Sequence, residues 1–295
     1  MEAIETPPNS LPDVVETQTA APPLNLKTLW PAGVLLACVM VAFWPLMLRL
    51  YSLWFGDDTY YAHGVVVPIC AGLIVWDRWE KIKTLSIQGS NWALFALAPV
   101  LYISWFASRT DMHTFQSALL LIVITLGTAF ILGWKWLRYL AVPIAYLAFC
   151  LPLLDRFVDT YTQPIQRLST DLSFQLLKVF GQSPYRVDTS TIGLPNYTLD
   201  VAVPCSGVKL VLAVTSIAIF FAFVAHMRRL NTGLLLASIL PISLIVNALR
   251  ISLIGIVGNA YGPESAHQFH DYSGYIGLFA CFAILYGFTR MLGWK

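Results

Sequence analysis

Charged residues are scarce in this 295-residue sequence, where Asp, Glu, Lys and Arg make up 12% of the chain and hydrophobic residues 57%. A soluble globular domain carries about 25% charged residues. The few charges are grouped between long apolar runs, and about 20 consecutive apolar residues suffice to cross a bilayer as a helix. The composition excludes an ordinary soluble domain and predicts an all-α polytopic membrane protein.

An excess of basic charge is also missing, since 18 Lys and Arg face 16 Asp and Glu. No basic stripe indicates a nucleic-acid partner. No basic segment precedes the first apolar run, so the N-terminus does not resemble a secretory signal. Residues 1–27 are acidic and rich in Pro, Ser and Thr, which predicts a disordered tail. We expect residues 28–295 to form one transmembrane domain.

Cysteine is rare as well, with five in the chain and no CxxC spacing. This excludes a disulfide framework and the usual zinc motifs, and no cofactor is expected. Cys205 alone lies where a polar loop meets an apolar run. The other cysteines lie within apolar runs, where a thiol behaves as a small hydrophobe: Cys38, Cys70, Cys150 and Cys281.

The apolar runs predict about eight transmembrane helices, of which Gly64 and Pro68 make the second irregular. We place them at 30–53, 64–77, 91–108, 114–134, 138–154, 206–225, 232–254 and 272–291. The longest loop lies between the fifth and sixth. In it, apolar residues at helical spacing predict an amphipathic helix over 157–180 that ends at Gly181. Alternating residues in 185–188 and 197–201 predict a small β-hairpin.

The basic residues between these runs predict the orientation of the chain in the membrane. With eight spans, the basic connecting segments all lie on one side, which the positive-inside rule makes cytoplasmic. These residues are Arg78, Lys81, Lys83, Lys135, Arg138, Arg228, Arg229, Arg290 and Lys295. Both termini are then cytoplasmic, and Cys205, Arg250 and His270 fall on the outer side.

Cys205 follows Pro204 and is predicted to open the sixth span. Proline is favoured in the first turn of a helix. The positive end of the helix dipole stabilises a thiolate there, and Lys209 would add to this effect. The alternative is a packed small residue, with Lys209 extending to the membrane interface.

Arg250 is predicted near the outer end of the seventh span, on one helix face with Asn247 and Ser243. A guanidinium near hydrocarbon costs at least about 2.5–3.5 kcal/mol, so it needs a partner. We expect a functional role inside the helix bundle. The alternatives are extension to lipid headgroups and a structural salt bridge.

His270 is predicted to begin the eighth span, and histidine suits proton transfer near neutral pH. Glu264 and His267 precede it at a spacing of three, so a zinc site completed by Cys205 is an alternative. A further alternative is a loop histidine without a role. Taken together, a cysteine, a histidine and an arginine at one face suit acyl transfer at a peptide carbonyl.

Four motifs in this order resemble the exosortase/archaeosortase family over roughly residues 50–290. They are Asp-Thr-Tyr-Tyr-Ala-His-Gly-Val-Val-Val-Pro at 58–68, Pro-Cys-Ser-Gly-Val-Lys at 204–209, Asn-Ala-Leu-Arg-Ile at 247–251, and Gly-Pro-Glu at 262–264 with Phe-His-Asp-Tyr-Ser-Gly at 269–274. The resemblance implies a membrane-embedded cysteine transpeptidase. It implies that Cys205 is the nucleophile, Arg250 the transition-state stabiliser and His270 the general acid and base.

The resemblance also implies the substrate, a membrane-anchored protein with a C-terminal sorting tail. Such a tail has a short PEP-like motif, a transmembrane helix and a basic end, and the family is often tied to bacterial exopolysaccharide. The site would face the periplasm from the inner membrane. Supporting roles are expected for Asn247, which would orient Arg250, and for His63, Ser206 and Lys209. The alternatives are simple proteolysis and a non-enzymatic transport or polysaccharide-assembly component.

Overall fold

The computed structural model describes residues 26–56, 59–201 and 205–293. The helices are α1 (Leu26–Ala42), α2 (Trp44–Phe55), α3 (Val66–Asp77), α4 (Trp79–Ile82), α5 (Asn91–Arg109), α6 (His113–Ile131), α7 (Trp134–Tyr146), α8 (Asp155–Val179), α9 (Val208–Val224), α10 (Arg229–Tyr261) and α11 (Pro263–Met291), with short 3-10 turns at Ala62–Val65 and Leu147–Cys150. The helical membrane architecture is confirmed. The predicted tail 1–27 lies outside the described residues, except that Leu26 and Lys27 already belong to α1.

Four helices within the described ranges are long and apolar enough to cross a membrane, namely α5, α6, α10 and α11. The number rises to six if each of two bent helix pairs is one span, and α3 and α9 are shorter apolar helices. Each of the eight predicted segments contains an apolar helix, but the count of eight spans is not confirmed.

The first predicted span, 30–53, is not one straight helix. Its axis bends by 78° between 36–42 and α2. Pro45 lies at the start of α2. In a continuous helix its ring would clash with the carbonyl one turn earlier, so the chain breaks at Phe43 and restarts.

The predicted amphipathic helix is confirmed as α8, which packs against α9 and α10. The chain leaves it at Gly181, where φ is +75°. The predicted hairpin is instead a three-stranded antiparallel sheet of β1 (Tyr185–Arg186), β2 (Thr191–Gly193) and β3 (Thr198–Asp200), with Ile192 opposite Leu199. The middle strand was missed because so short a segment beside turn residues shows no alternation.

The predicted boundaries of the last two spans were wrong, since residues 255–271 are mostly helical. Helix α10 runs to Tyr261 and α11 begins at Pro263, with Gly262 between them at φ +91°. The 33 residues of α10 span about 50 Å, longer than the roughly 30 Å hydrocarbon core of a bilayer. Residues 259–271 are largely polar, so a prediction based on apolar runs did not include these extensions.

The sheet packs on the extended ends of α8, α10 and α11. Buried apolar residues of all four parts form one cluster: Leu177, Ile192, Leu194, Leu199, Val201, Ile251, Ile254 and Ala266. A separate, larger core joins α1, α2, α3, α6 and α7. The sheet therefore covers the junction of α10 and α11 and leaves a cleft beside it.

Candidate active site

Cys205 and His270 meet in this cleft. The Cys205 Sγ lies 2.8 Å from the His270 Nε2, a hydrogen-bonding distance across 65 residues of sequence. The thiol is half-buried. A thiol in direct contact with an imidazole is the arrangement that activates a cysteine nucleophile, because the ring can take its proton.

Cys205 does not open a helix as predicted. Helix α9 begins at Val208, after Gly207 in the left-handed conformation at φ +97°. The thiol therefore lies in a turn before the helix rather than in its first turn, and Pro204 lies outside the described residues. The described neighbour of this thiol is the imidazole of His270, and the first residue of α9 lies three positions later.

His270 lies well inside α11 rather than at a loop boundary. Its Nδ1 is 3.3 Å from the carboxylate of Asp271. The Ser273 hydroxyl donates to the His270 carbonyl at 3.0 Å. The regular helix around it thus fixes the backbone that carries the imidazole.

Arg250 lies behind His270. Its Nε donates to the Ser273 hydroxyl at 3.0 Å and its Nη2 to the His270 carbonyl at 3.3 Å. No described carboxylate forms an ion pair with it, and its Nη1 has no described hydrogen-bond partner. The guanidinium is not among the groups lining the cleft, so the structure connects it to the turn bearing the base rather than to the thiol.

Asn247 does not contact Arg250. Its Nδ2 donates to the Cys205 carbonyl at 3.0 Å and to the Ser169 hydroxyl at 3.3 Å. The amide is therefore directed at the backbone of the proposed nucleophile.

The cleft has a volume of about 510 Å³ and is open to solvent. Its walls come from the sheet, the turn at Cys205, the C-terminal part of α10 and the N-terminal part of α11. They comprise Tyr197, Leu199, Asp200, Val201, Cys205, Ile251, Ile254, Pro263, Glu264, Ala266, His267, His270 and Asp271. This is a groove with an apolar floor and a polar rim, which suits a peptide segment.

Tyr197 stands beside the thiol. Burial, and then the charge of a Cys205 thiolate, raise the pKa of the Tyr197 phenol above its ordinary value. Its ring lies on Gly258 of α10, where a Cβ would come within 2.5 Å of the ring. Only glycine admits this contact, so Gly258 fixes the wall of the cleft.

The other predicted supporting residues lie in different surroundings. His63 does not line the cleft, and its buried Nδ1 has no hydrogen-bond partner among the residues that the structure describes. Ser206 is fully buried, and its hydroxyl accepts from the Val208 amide at 3.4 Å. Lys209 is the second residue of α9 and half-buried.

The zinc alternative finds no geometric support. Glu264, His267, His270 and Cys205 all line the cleft. Nevertheless, within the described parts of the chain no three or more His, Cys, Asp or Glu residues are arranged to hold a metal ion.

Sequence reasoning missed three residues of the site: Tyr197, Ser169 and Ser273. Ser273 belongs to the motif at 269–274 and follows His270 by three residues, but no role was assigned to it. Ser169 and Tyr197 carry no local signal, because their importance depends on which helix the long loop packs against.

A family comparison bears on this site. The model of the transmembrane exosortase family (Exosortase_EpsH) matches residues 53–287, which include Cys205, Arg250 and His270. Neither the curated proteins nor the solved structures contain a match to this sequence. The family model covers most of the chain, and the chain therefore belongs to the transmembrane exosortase family.

Proposed function

We propose that this membrane protein is a cysteine transpeptidase that cleaves the C-terminal sorting signal of exported proteins and transfers the acyl group to an acceptor. The observation that carries the proposal is the 2.8 Å contact between the Cys205 Sγ and the His270 Nε2 in an open cleft. Two residues far apart in sequence form a nucleophile–base pair where a peptide can reach them.

The chemistry follows from the pair. His270 takes the thiol proton, and the thiolate attacks the scissile carbonyl. The resulting oxyanion needs a donor, and we assign this role to Arg250, which hydrogen-bonds the backbone of His270 and whose Nη1 has no described partner. As the C–N bond breaks, His270 returns the proton to the leaving amine, and the acyl group remains on Cys205 as a thioester. The acceptor then attacks the thioester while His270 takes its proton, the C–S bond breaks, and His270 returns the proton to the Cys205 thiolate.

The position of the cleft supports a substrate held by a membrane anchor. It lies at the ends of α10 and α11 that extend past the apolar spans. A peptide bond just outside the bilayer, next to a transmembrane helix, would reach Cys205 without entering hydrocarbon. This matches a tail built of a PEP-like motif, a helix and a basic end. We place the site on the periplasmic side of a bacterial inner membrane, with both termini cytoplasmic.

Hydrolysis is the second candidate. The rim residues Asp200, Glu264 and Asp271 are exposed, so water can reach a thioester on Cys205. The reaction would then end in a free carboxylate at the cleaved motif.

Co-expression with a tailed substrate tests the proposal. The native protein should release the tail, and Cys205→Ala should stop processing while the membrane level of the enzyme is unchanged. Cys281→Ala is the matched control, because Cys281 is buried between helices away from the cleft. Mass spectrometry of the new C-terminus separates transfer, which adds a group, from hydrolysis. Normal processing by Cys205→Ala would refute the nucleophile assignment.

A further inference from the structure

We infer that Asn247 and Ser169 form a carbonyl clamp, a pair of side chains that holds the Cys205–Ser206 backbone and so positions the thiol against His270. The inference rests on the proposed function only in calling the thiol a nucleophile. Neither side chain lines the cleft, so both are positioning residues.

Asn247 supplies the first half of the carbonyl clamp. Its side chain is 1% exposed, and its Nδ2 donates to the Cys205 carbonyl at 3.0 Å. A buried amide left unpaired is strongly destabilising. An asparagine inside an apolar helix therefore needs this partner, and the partner is the peptide group that carries the nucleophile.

Ser169 supplies the second half from α8. Its hydroxyl, fully buried, donates to the Ser206 carbonyl at 2.9 Å and accepts from Asn247 at 3.3 Å. Two consecutive carbonyls are thus held from one side. Because each peptide unit is planar, fixing the two carbonyls fixes the planes of the 205–206 and 206–207 peptide units. The first of these planes includes the Cα from which the Cys205 side chain departs.

Gly207 shows that the fit is close. Its φ of +97° is strained for any other residue, and a Cβ there would lie 2.9 Å from the Asn247 Nδ2. The turn passes so near the clamp that no side chain fits between them.

The same helix pair contains a matched control. One turn further along α8, the Ser173 hydroxyl lies 2.7 Å from the Ser169 carbonyl and 3.2 Å from the Ala248 carbonyl of α10, and it can donate to either. Ser173 is as buried as Ser169, but no described hydrogen bond joins it to residues 205–207. Removing its hydroxyl should weaken the packing of α8 on α10 without releasing the nucleophile turn.

The experiment compares Ser169→Ala, Asn247→Asp and Ser173→Ala in the full-length protein in detergent. The readouts are the pH profile of Cys205 alkylation by iodoacetamide, followed by peptide mass spectrometry, together with kcat and KM of processing and the thermal midpoint. Site-resolved detection is required because Cys38 is exposed as well.

We expect Ser169→Ala to lower kcat about three- to ten-fold and Asn247→Asp about ten- to a hundred-fold, the range for losing one neutral or one misdirected charged hydrogen bond. Both should shift the alkylation profile and leave KM nearly unchanged. Ser173→Ala should lower the thermal midpoint by as much as Ser169→Ala while its alkylation profile stays native.

Identical behaviour of Ser169→Ala and Ser173→Ala in all readouts would overturn the inference, since both would then be packing residues only. If Asn247→Asp fails to accumulate, the comparison of Ser169→Ala with Ser173→Ala still tests the inference, because each of these variants removes only one hydroxyl oxygen. If the native protein processes no substrate but the alkylation profiles still differ as expected, the proposed function falls and the carbonyl clamp stands.

Discussion

The two halves of the molecule treat their buried polar groups in different ways. In α1–α7 and the turns between them, five buried side-chain atoms have no hydrogen-bond partner among the described residues: His63 Nδ1, His113 Nδ1, both amide atoms of Gln116, and Trp136 Nε1. In α8–α11 four buried polar residues form one hydrogen-bonded set that reaches Cys205: Ser169, Ser173, Asn247 and Ser252. The Ser243 hydroxyl is the one buried side-chain atom of α8–α11 without a described partner.

This difference indicates that the orientation of side chains and backbone is more tightly defined in α8–α11 than in α1–α7. A connected buried network defines one arrangement, because breaking any bond leaves its partner unpaired at a cost of about 1–3 kcal/mol. The second half uses such a network to hold the nucleophile turn, whereas the first half is held mainly by apolar contacts. Two histidines show the contrast, since the His270 imidazole contacts the thiol, whereas the buried Nδ1 of the half-buried His63 has no partner among the described residues.

The largest expected effect is that of His270→Gln. Glutamine keeps polarity and approximate size but cannot accept and return a proton, so processing should fall about 10²- to 10⁴-fold. The measurement is kcat with a tailed substrate. The matched variant is His267→Gln, which also changes a histidine of the cleft but one that no described hydrogen bond joins to the thiol. A comparable loss in both variants would contradict the assignment of the base.

A smaller effect is expected for Arg250→Lys. Lysine keeps the charge but cannot donate to Ser273 and the His270 carbonyl at once from a planar fork. Losing a hydrogen bond from a charged donor corresponds to about a ten- to hundred-fold fall in kcat. Full activity of Arg250→Lys would remove the guanidinium from the mechanism.

His63→Phe tests the first half of the molecule. Phenylalanine keeps a ring beside Tyr61, whose ring centroid lies 6.4 Å from that of His63, and removes an unpaired nitrogen. Processing should stay within about three-fold of native, as for a substitution away from the reacting groups. A loss as large as that of His270→Gln would mean that the two halves share the catalytic work.

The smallest effect is expected for Asp188→Asn in the sheet, measured as the thermal midpoint against pH. Backbone and hydroxyl hydrogen bonds from Ser190 and Thr191 lower the pKa of the Asp188 carboxyl. A lowered folded-state pKa stabilises the fold above the ordinary Asp pKa of about 3.9, and this contribution is lost as pH falls through the lowered value. Asp188→Asn should lack that part of the acid dependence and process substrate normally. If the thermal midpoint of Asp188→Asn depended on acid pH as that of the native protein does, the stabilising role of the Asp188 carboxylate would be contradicted.

Much of the site was predictable because its chemistry is local in sequence. The motif residues Cys205 and His270 were paired on chemical grounds, and the structure brings them into contact. Asn247 was expected to orient Arg250, but its amide donates to the Cys205 carbonyl. The sequence shows that Asn247 and Arg250 share a helix face, but not which neighbour the amide reaches, because that depends on the packing of α8.

The fold was predictable in its apolar parts and not beyond them. Each of the eight apolar runs contains an apolar helix, but the runs did not extend α10 and α11 through residues 255–271, which pack partly against the sheet. Gly255 and Gly258 of α10 face Leu199 and Tyr197, a contact between a helix and a distant loop that no periodicity reveals.

The central claim is that Cys205 carries the acyl group, and trapping that intermediate tests it most directly. The native enzyme would be mixed with a tailed substrate, quenched in acid and digested, and the Cys205 peptide examined by mass spectrometry. We predict a substrate fragment ending at the cleaved motif, attached to Cys205 through a bond that hydroxylamine releases. Released tail with an unmodified Cys205 peptide, or an adduct on another residue, would contradict the account.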